Sequence, residues 1–177
     1  RYFYRQHPRD RLCHRRRLTM FARILLATDF SDQAENAYPW AAQMARASDG
    51  VVLLVHALEN DLVSTTPVFA GFMPPEALDV GSYREQFRTA ALRALDAAAE
   101  KVKALGVRVE THLLEGGKPS VAIVDAAKEL DGKVIVLSTH GRVGLAHLLL
   151  GSTAEKVVRS ASCPVLSVHQ DDAQPQG

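Results

Sequence analysis

Residues able to do chemistry are concentrated between Ser138 and Thr153. Ser138-Thr139-His140-Gly141 follows a short apolar run, Val134 to Leu137, and Gly151-Ser152-Thr153 comes after nine further residues, Arg142 to Leu150. Hydroxyls and glycines in this order suit the holding of an anion. Ser152 lies three residues before Glu155, and Ala154, Val157, Val158 and Ala161 recur at helical intervals, which predicts a helix capped at Ser152. A helix start reached through glycines leaves free N–H groups that favour a phosphate. Two readings of Ser152 stay open: a hydroxyl turned to a ligand, or a cap on the N–H of Glu155. The second does not call for a glycine ten residues upstream.

Other reactive side chains fit no catalytic pattern. No serine, aspartate or cysteine is spaced to make a triad with His56 or His140, and a lone histidine at a strand end is an ordinary structural residue. Arg142 could meet a phosphate charge or be a solvated loop residue. The Gly-x-x-x-x-Gly-Lys-Ser/Thr of a P-loop is absent. Cys13 and Cys163 give neither a disulfide framework nor zinc-ligand spacing, which favours a reducing, cytoplasmic setting.

The elements that must position these residues alternate along the chain. Arg23 to Thr28 reads as a central strand ending at Asp29, followed by a helix from Asp32 to Ser48 with Ser31 as N-cap and Asp49-Gly50 as its stop. Val51 to Ala57 is a second buried strand, so the pair implies parallel pairing through a right-handed crossover. Leu58 to Val80, rich in proline and glycine, shows no period and is expected to lie as a lid over the sheet's carboxyl end. Ser82 and Glu85 form a capping box for a long helix to about Leu105, with Phe87, Ala91, Leu95, Ala98 and Val102 on its buried face. Gly106 stops it. Val107 to Leu113 alternates in polarity, as a half-exposed edge strand does. A helix over Ser120 to Leu130 then leads to the Val134 strand. Five strands and four helices predict an α/β fold, a doubly wound open parallel five-stranded sheet of order 3-2-1-4-5, flavodoxin- or Rossmann-like. Its switch point lies between the first and fourth strands, which places Asp29 beside Ser138 and Gly141.

From Phe21 to His169 the chain resembles the universal stress protein family, whose nucleotide-binding members carry Gly-x-x-Gly, nine residues, then Gly-Ser or Gly-Thr. Here Ser138-Thr139-His140-Gly141, nine residues and Gly151-Ser152 match at three of the four positions, with Ser138 replacing the first glycine. The resemblance implies a site for ATP, or for AMP or cyclic AMP, with Mg²⁺ accompanying the phosphates. Ala27-Thr28-Asp29 matches the segment whose aspartate contacts base or ribose in related nucleotide binders. Asp29 could equally cap the next helix. Ala57 matches the position whose backbone reads the adenine. Leu137, Ser138, Thr139, His140, Gly141 and Arg142, with Gly151, Ser152 and Thr153, fall on the phosphate-holding loop. Where the family has glycine so that the backbone can approach the phosphates, Ser138 either adds a hydroxyl to the grip or narrows the site. The family commonly dimerises through the last strand, Pro164 to Val168 here, an apolar sheet edge that wants a partner.

Composition bounds the remainder. The chain has 177 residues, 47% hydrophobic, enough for one core, and no run of eighteen apolar residues. Seven arginines and one aspartate sit in residues 1–17, so the body alone holds 14 basic and 19 acidic residues and a charge of about −5 against +1 for the whole. Residues 1–19 are expected to be a disordered or non-native leader, with Met20 as a natural start; a basic arm touching nucleic acid is the alternative, and the body's negative balance argues against it. Residues 20–170 are expected to form the domain and residues 171–177 a disordered tail. The function expected is a nucleotide-binding stress-response module. A dimerising interaction module without nucleotide and a slow ATPase or phosphoryl transferase are the rivals, the last weakened because no general base with a partner can be named.

Overall fold

Two five-residue strands lie side by side inside the sheet. In a computed structural model, which describes residues 21–58, 80–139 and 151–169, β1 (Arg23–Ala27) pairs in parallel with β4 (Val134–Ser138), Leu26 opposite Val136. β2 (Val51–Leu58) lies on the other side of β1, with Ala27 opposite Val55. β3 (Arg108–Glu115) and β5 (Val165–Val168) form the borders, so the order is β3-β2-β1-β4-β5, all parallel. This is the architecture and strand order expected. The expected lid, His140 to Leu150 and both chain ends lie outside the described residues.

Helices cover both faces because every central strand is apolar on both. Ile24 and Leu26 point into one layer, against Tyr38, Ala41, Leu95 and Val102. Leu25 and Ala27 point into the other, against Ile123, Val124 and Val157. The first layer is supplied by α2 (Tyr38–Ser48) and α3 (Val80–Lys103), the second by α4 (Pro119–Glu129) and α5 (Ser152–Ser160). Each fully buried leucine of this kind stabilises the fold by about 1.5–3 kcal/mol.

Two expected boundaries are corrected, and so is the burial of one residue. The helix after Ser31 is not continuous: a single turn, α1 (Asp32–Glu35), is followed by a separate α2, with Pro39 in its first turn. A proline there lacks the N–H that would bond Glu35 and its ring crowds that carbonyl, so the helix breaks and restarts. The long helix is already under way at Val80, so Ser82 is not its N-cap; a capping pair worth about 1 kcal/mol does not by itself fix a boundary. Phe87 is 45% exposed rather than buried, while Leu95 is 1% exposed. A 24-residue helix is longer than the eight-residue strand beneath it, so its first turns overhang the sheet.

The two borders differ. β3 carries Arg108 and Glu110, the latter 3.6 Å from Arg23, whereas β5 is uncharged. Leu54→Ala, at a site of 0% exposure, is expected to cost about 2–5 kcal/mol in urea unfolding with an unchanged m value. Val121→Ala, at 54% exposure, should stay within about 0.5 kcal/mol of the parent.

Candidate functional site

The carboxyl end of the sheet is stepped. β1 stops at Ala27, opposite Val55, while β2 runs three residues further to Leu58. The N–H of Thr28 still donates to the Val55 carbonyl (3.0 Å), so the backbone groups of Val55 face β1. Ala57, two residues on, presents its own N–H and C=O on that same side, past the last residue of β1. Ala57 thus presents main chain to the space above β1.

Thr28 is bonded through every polar atom it has. Its carbonyl accepts from Nδ1 of the buried His56 at 2.8 Å; a carbonyl can only accept, so that ring nitrogen carries a proton. Its Oγ1 accepts the N–H of Phe30 at 3.0 Å and lies 2.9 Å from the Tyr38 hydroxyl. Phe30 has φ of 65°, a left-handed conformation unusual for an aromatic residue, and its ring lies against His56 with centroids 4.1 Å apart. Asp29 sits between these fixed neighbours. One of its carboxylate oxygens accepts from the N–H of Ser31 at 3.1 Å and from the Ser31 hydroxyl at 2.6 Å. Ser31 in turn caps α1 by accepting from the N–H of Ala34 at 3.2 Å. Asp29 therefore braces the cap and is not itself the cap. His56 is held by this bond and by the Phe30 ring. The Tyr38 hydroxyl becomes conspicuous only once Thr28 is seen beside it.

The other wall is built around Thr139. Its N–H donates to the Val168 carbonyl at 3.0 Å, its carbonyl accepts from the N–H of Gly151 at 2.8 Å, and its hydroxyl lies 3.1 Å from Nδ1 of His169. At 0% exposure, Thr139 has its side chain turned into the β4–β5 seam. Leu137, 5% exposed, and Ala27, 8% exposed, are packed in the layer below. Ser138 ends β4 opposite Val168, half-buried. The left-handed φ values of the described non-glycine residues belong to Phe30, Asp49 and Asp131, so Ser138 has backbone that any residue adopts and the glycine of the family pattern is not required there for its φ.

Gly151 and Ser152 correct one expectation. The N-cap of α5 is Gly151, not Ser152; Ser152 is the first helical residue and is exposed, so it does not cap Glu155, whose N–H bonds the Gly151 carbonyl at 2.9 Å. The capping-box spacing misled because Gly151 must itself occupy the cap. A Cβ on Gly151 would stand 2.9 Å from the Thr139 carbonyl oxygen. With the Gly151 N–H spent on Thr139, the N–H groups left without a helical partner at the start of α5 are those of Ser152, Thr153 and Ala154. They carry the positive end of the helix dipole. His140, Gly141 and Arg142 lie outside the described residues.

Little else competes. A hollow of about 560 Å³ is lined, among the described residues, by Glu85, Gln86, Thr89, Ala90 and Arg93 of α3. Desolvation pushes the half-buried Cys163 thiol above its ordinary range, away from nucleophilic use. Among the described residues no three His, Cys, Asp or Glu side chains form a metal cluster, and no helix is long and apolar enough to cross a membrane.

Comparison with known proteins agrees with this geometry. Residues 20–169 match the model of the universal stress protein family. A universal stress protein of Thermus aquaticus is 38% identical over 149 residues, 84% of this chain and 99% of that protein. A universal stress protein from Archaeoglobus fulgidus, solved in complex with dAMP, superposes with a TM-score of 0.60 at 29% identity over 84% of this chain and 98% of that one. Another universal stress protein structure, in complex with cAMP, gives 0.58 at 25% identity over 84% and 97%.

Gly151→Ala is expected to force Thr139 and α5 apart and to cost about 1–3 kcal/mol in urea unfolding. Burial raises the Tyr38 phenol above its ordinary value near 10, with the Thr28 hydrogen bond working in the opposite direction. The unfolded chain then ionises first, so this contribution is complete at neutral pH and drains as pH rises through 10. Stability measured between pH 9 and about 11 should fall less steeply in Tyr38→Phe than in the parent.

Proposed function

The chain belongs to the universal stress protein family, and we propose that it binds an adenine nucleotide, ATP or a related mononucleotide, across the step between β1, β2 and β4. The observation that carries this is the start of α5: three unspent N–H groups and an exposed Ser152 hydroxyl, held one hydrogen bond from the end of β4 by a residue that has to be glycine. Anions favour such a helix start by charge and by directed hydrogen bonds together. Ser138, Gly141, Arg142, Ser152 and Thr153 take the phosphates in this reading, and Thr139 holds the wall without touching them. Asp29 and the main chain of Ala57 take the nucleoside. The dAMP and cAMP complexes of related proteins support an adenine ligand. Any Mg²⁺ rides on the phosphates.

The folded unit is taken as residues 20–170, with residues 1–19 and 171–177 outside it, working in the cytoplasm as a homodimer joined through Pro164 to Val168. The uncharged β5 border supports that pairing. Its role in this reading is regulatory binding in a stress response, with turnover of the nucleotide secondary.

Mass spectrometry of the ligand released from freshly purified protein, followed by calorimetric titration with ATP, tests this. Adenine nucleotide in the extract and saturable uptake are expected; neither appearing overturns the proposal. Ser152→Asp separates binding from folding. An acid at the first helical residue suits the helix dipole and should leave stability intact, while its charge should weaken ATP at least about tenfold.

A further inference from the structure

Tyr38 has a hydroxyl that the packing alone does not ask for. The residue is 4% exposed and belongs to the apolar layer beneath α2, where a phenylalanine would fill the same space. A buried hydroxyl costs stability unless bonded, and the partner this one has is Thr28 Oγ1 at 2.9 Å. That same oxygen accepts the N–H of Phe30, the residue held at φ of 65°. A bulky residue in the left-handed region costs about 1–3 kcal/mol and persists only where its surroundings fix it. Asp29 lies between Thr28 and Phe30 in this turn, with its carboxylate bonded to Ser31 just beyond it.

We propose that Tyr38 is a positioning residue for the nucleoside half of the crevice: through the Thr28 hydroxyl it fixes the left-handed turn at Phe30 that aims Asp29. The inference rests on the nucleotide-binding reading given above and adds to it a residue two shells from the ligand. The break in the helix at Pro39 is what makes this reach possible, since it restarts α2 with Tyr38 as its first residue. The bonds described for the phosphate wall run along a different route. Thr139 is bonded to Val168, His169 and Gly151, and none of these bonds involves Thr28 or Tyr38.

This separation gives the test. Titrations of the full chain with ATP, adenosine and inorganic tripolyphosphate are compared in the parent, Tyr38→Phe, Thr28→Val and the double variant. In Tyr38→Phe the dissociation constants for ATP and adenosine should rise by the same factor, about fivefold for one lost hydrogen bond, with that for tripolyphosphate unchanged. The double variant should bind no more weakly than Thr28→Val alone, because both changes cut one relay. Hydrogen exchange of the Phe30 N–H in the ligand-free protein should speed up in Tyr38→Phe. Unchanged ATP affinity, an equal loss for tripolyphosphate, additive losses in the double variant, or unchanged exchange at Phe30 would each overturn the inference while nucleotide binding stands. A parent that takes up neither ATP nor adenosine removes the nucleotide reading and this inference together.

Discussion

The hydrogen bond from the Gly151 N–H to the Thr139 carbonyl sets the geometry of the whole upper face. At 2.8 Å it ties the first turn of α5 to the end of β4, although eleven residues of chain separate them. The same approach leaves 2.9 Å for any Cβ, which is why a helix that could have used a serine cap uses a glycine instead. Two consequences travel outward from this point. The helix dipole is anchored at the switch point of the sheet rather than beyond it, and the first N–H groups to face the crevice belong to Ser152 and its two successors.

The crevice is thus two constructions with different physics. On the α5 side, main-chain amides and a dipole provide directed positive charge, which makes no demand on side-chain type except at the glycine. On the β1 side, a short network through Thr28, Tyr38 and His56 holds a strained turn, and there side chains of particular types are needed. The step left by the short β1 joins them, because it exposes backbone of β2 that a longer central strand would have covered. Function in this fold depends on where strands stop as much as on what they contain.

Much of this was legible in the residues. Val51 to Val55 and Val134 to Leu137 are continuous apolar runs, and doubly covered parallel strands have that form. The alternation of Val107 to Leu113 located a border, and strand order followed. That order also puts Asp29, two residues past β1, near Ser138, the last residue of the neighbouring β4. What was missed has local causes. Pro39 was read as part of a helix whose stripe continues across it, although the stripe of Ala34, Ala37 and Ala41 survives a break. Ser152 matched a capping box, but spacing carries no information about the carbonyl of Thr139 that claims the position before it. Phe87 kept the helical period and still lies in the open, because period gives the face of a helix and not the extent of the sheet below. Tyr38 fitted the apolar stripe of its helix, but a stripe does not show that its hydroxyl reaches Thr28, ten residues away across the turn at Phe30.

The unlike borders of the sheet limit how copies of this chain can accumulate. β3 is studded with charges, Arg108 and Glu110 among them, and a strand approaching it must strip water from those groups. β5 has no such guard. If copies of this chain pair at β5, that rim is used up and the charged β3 rims face outward, so lateral strand addition would stop at two copies instead of propagating into a fibre.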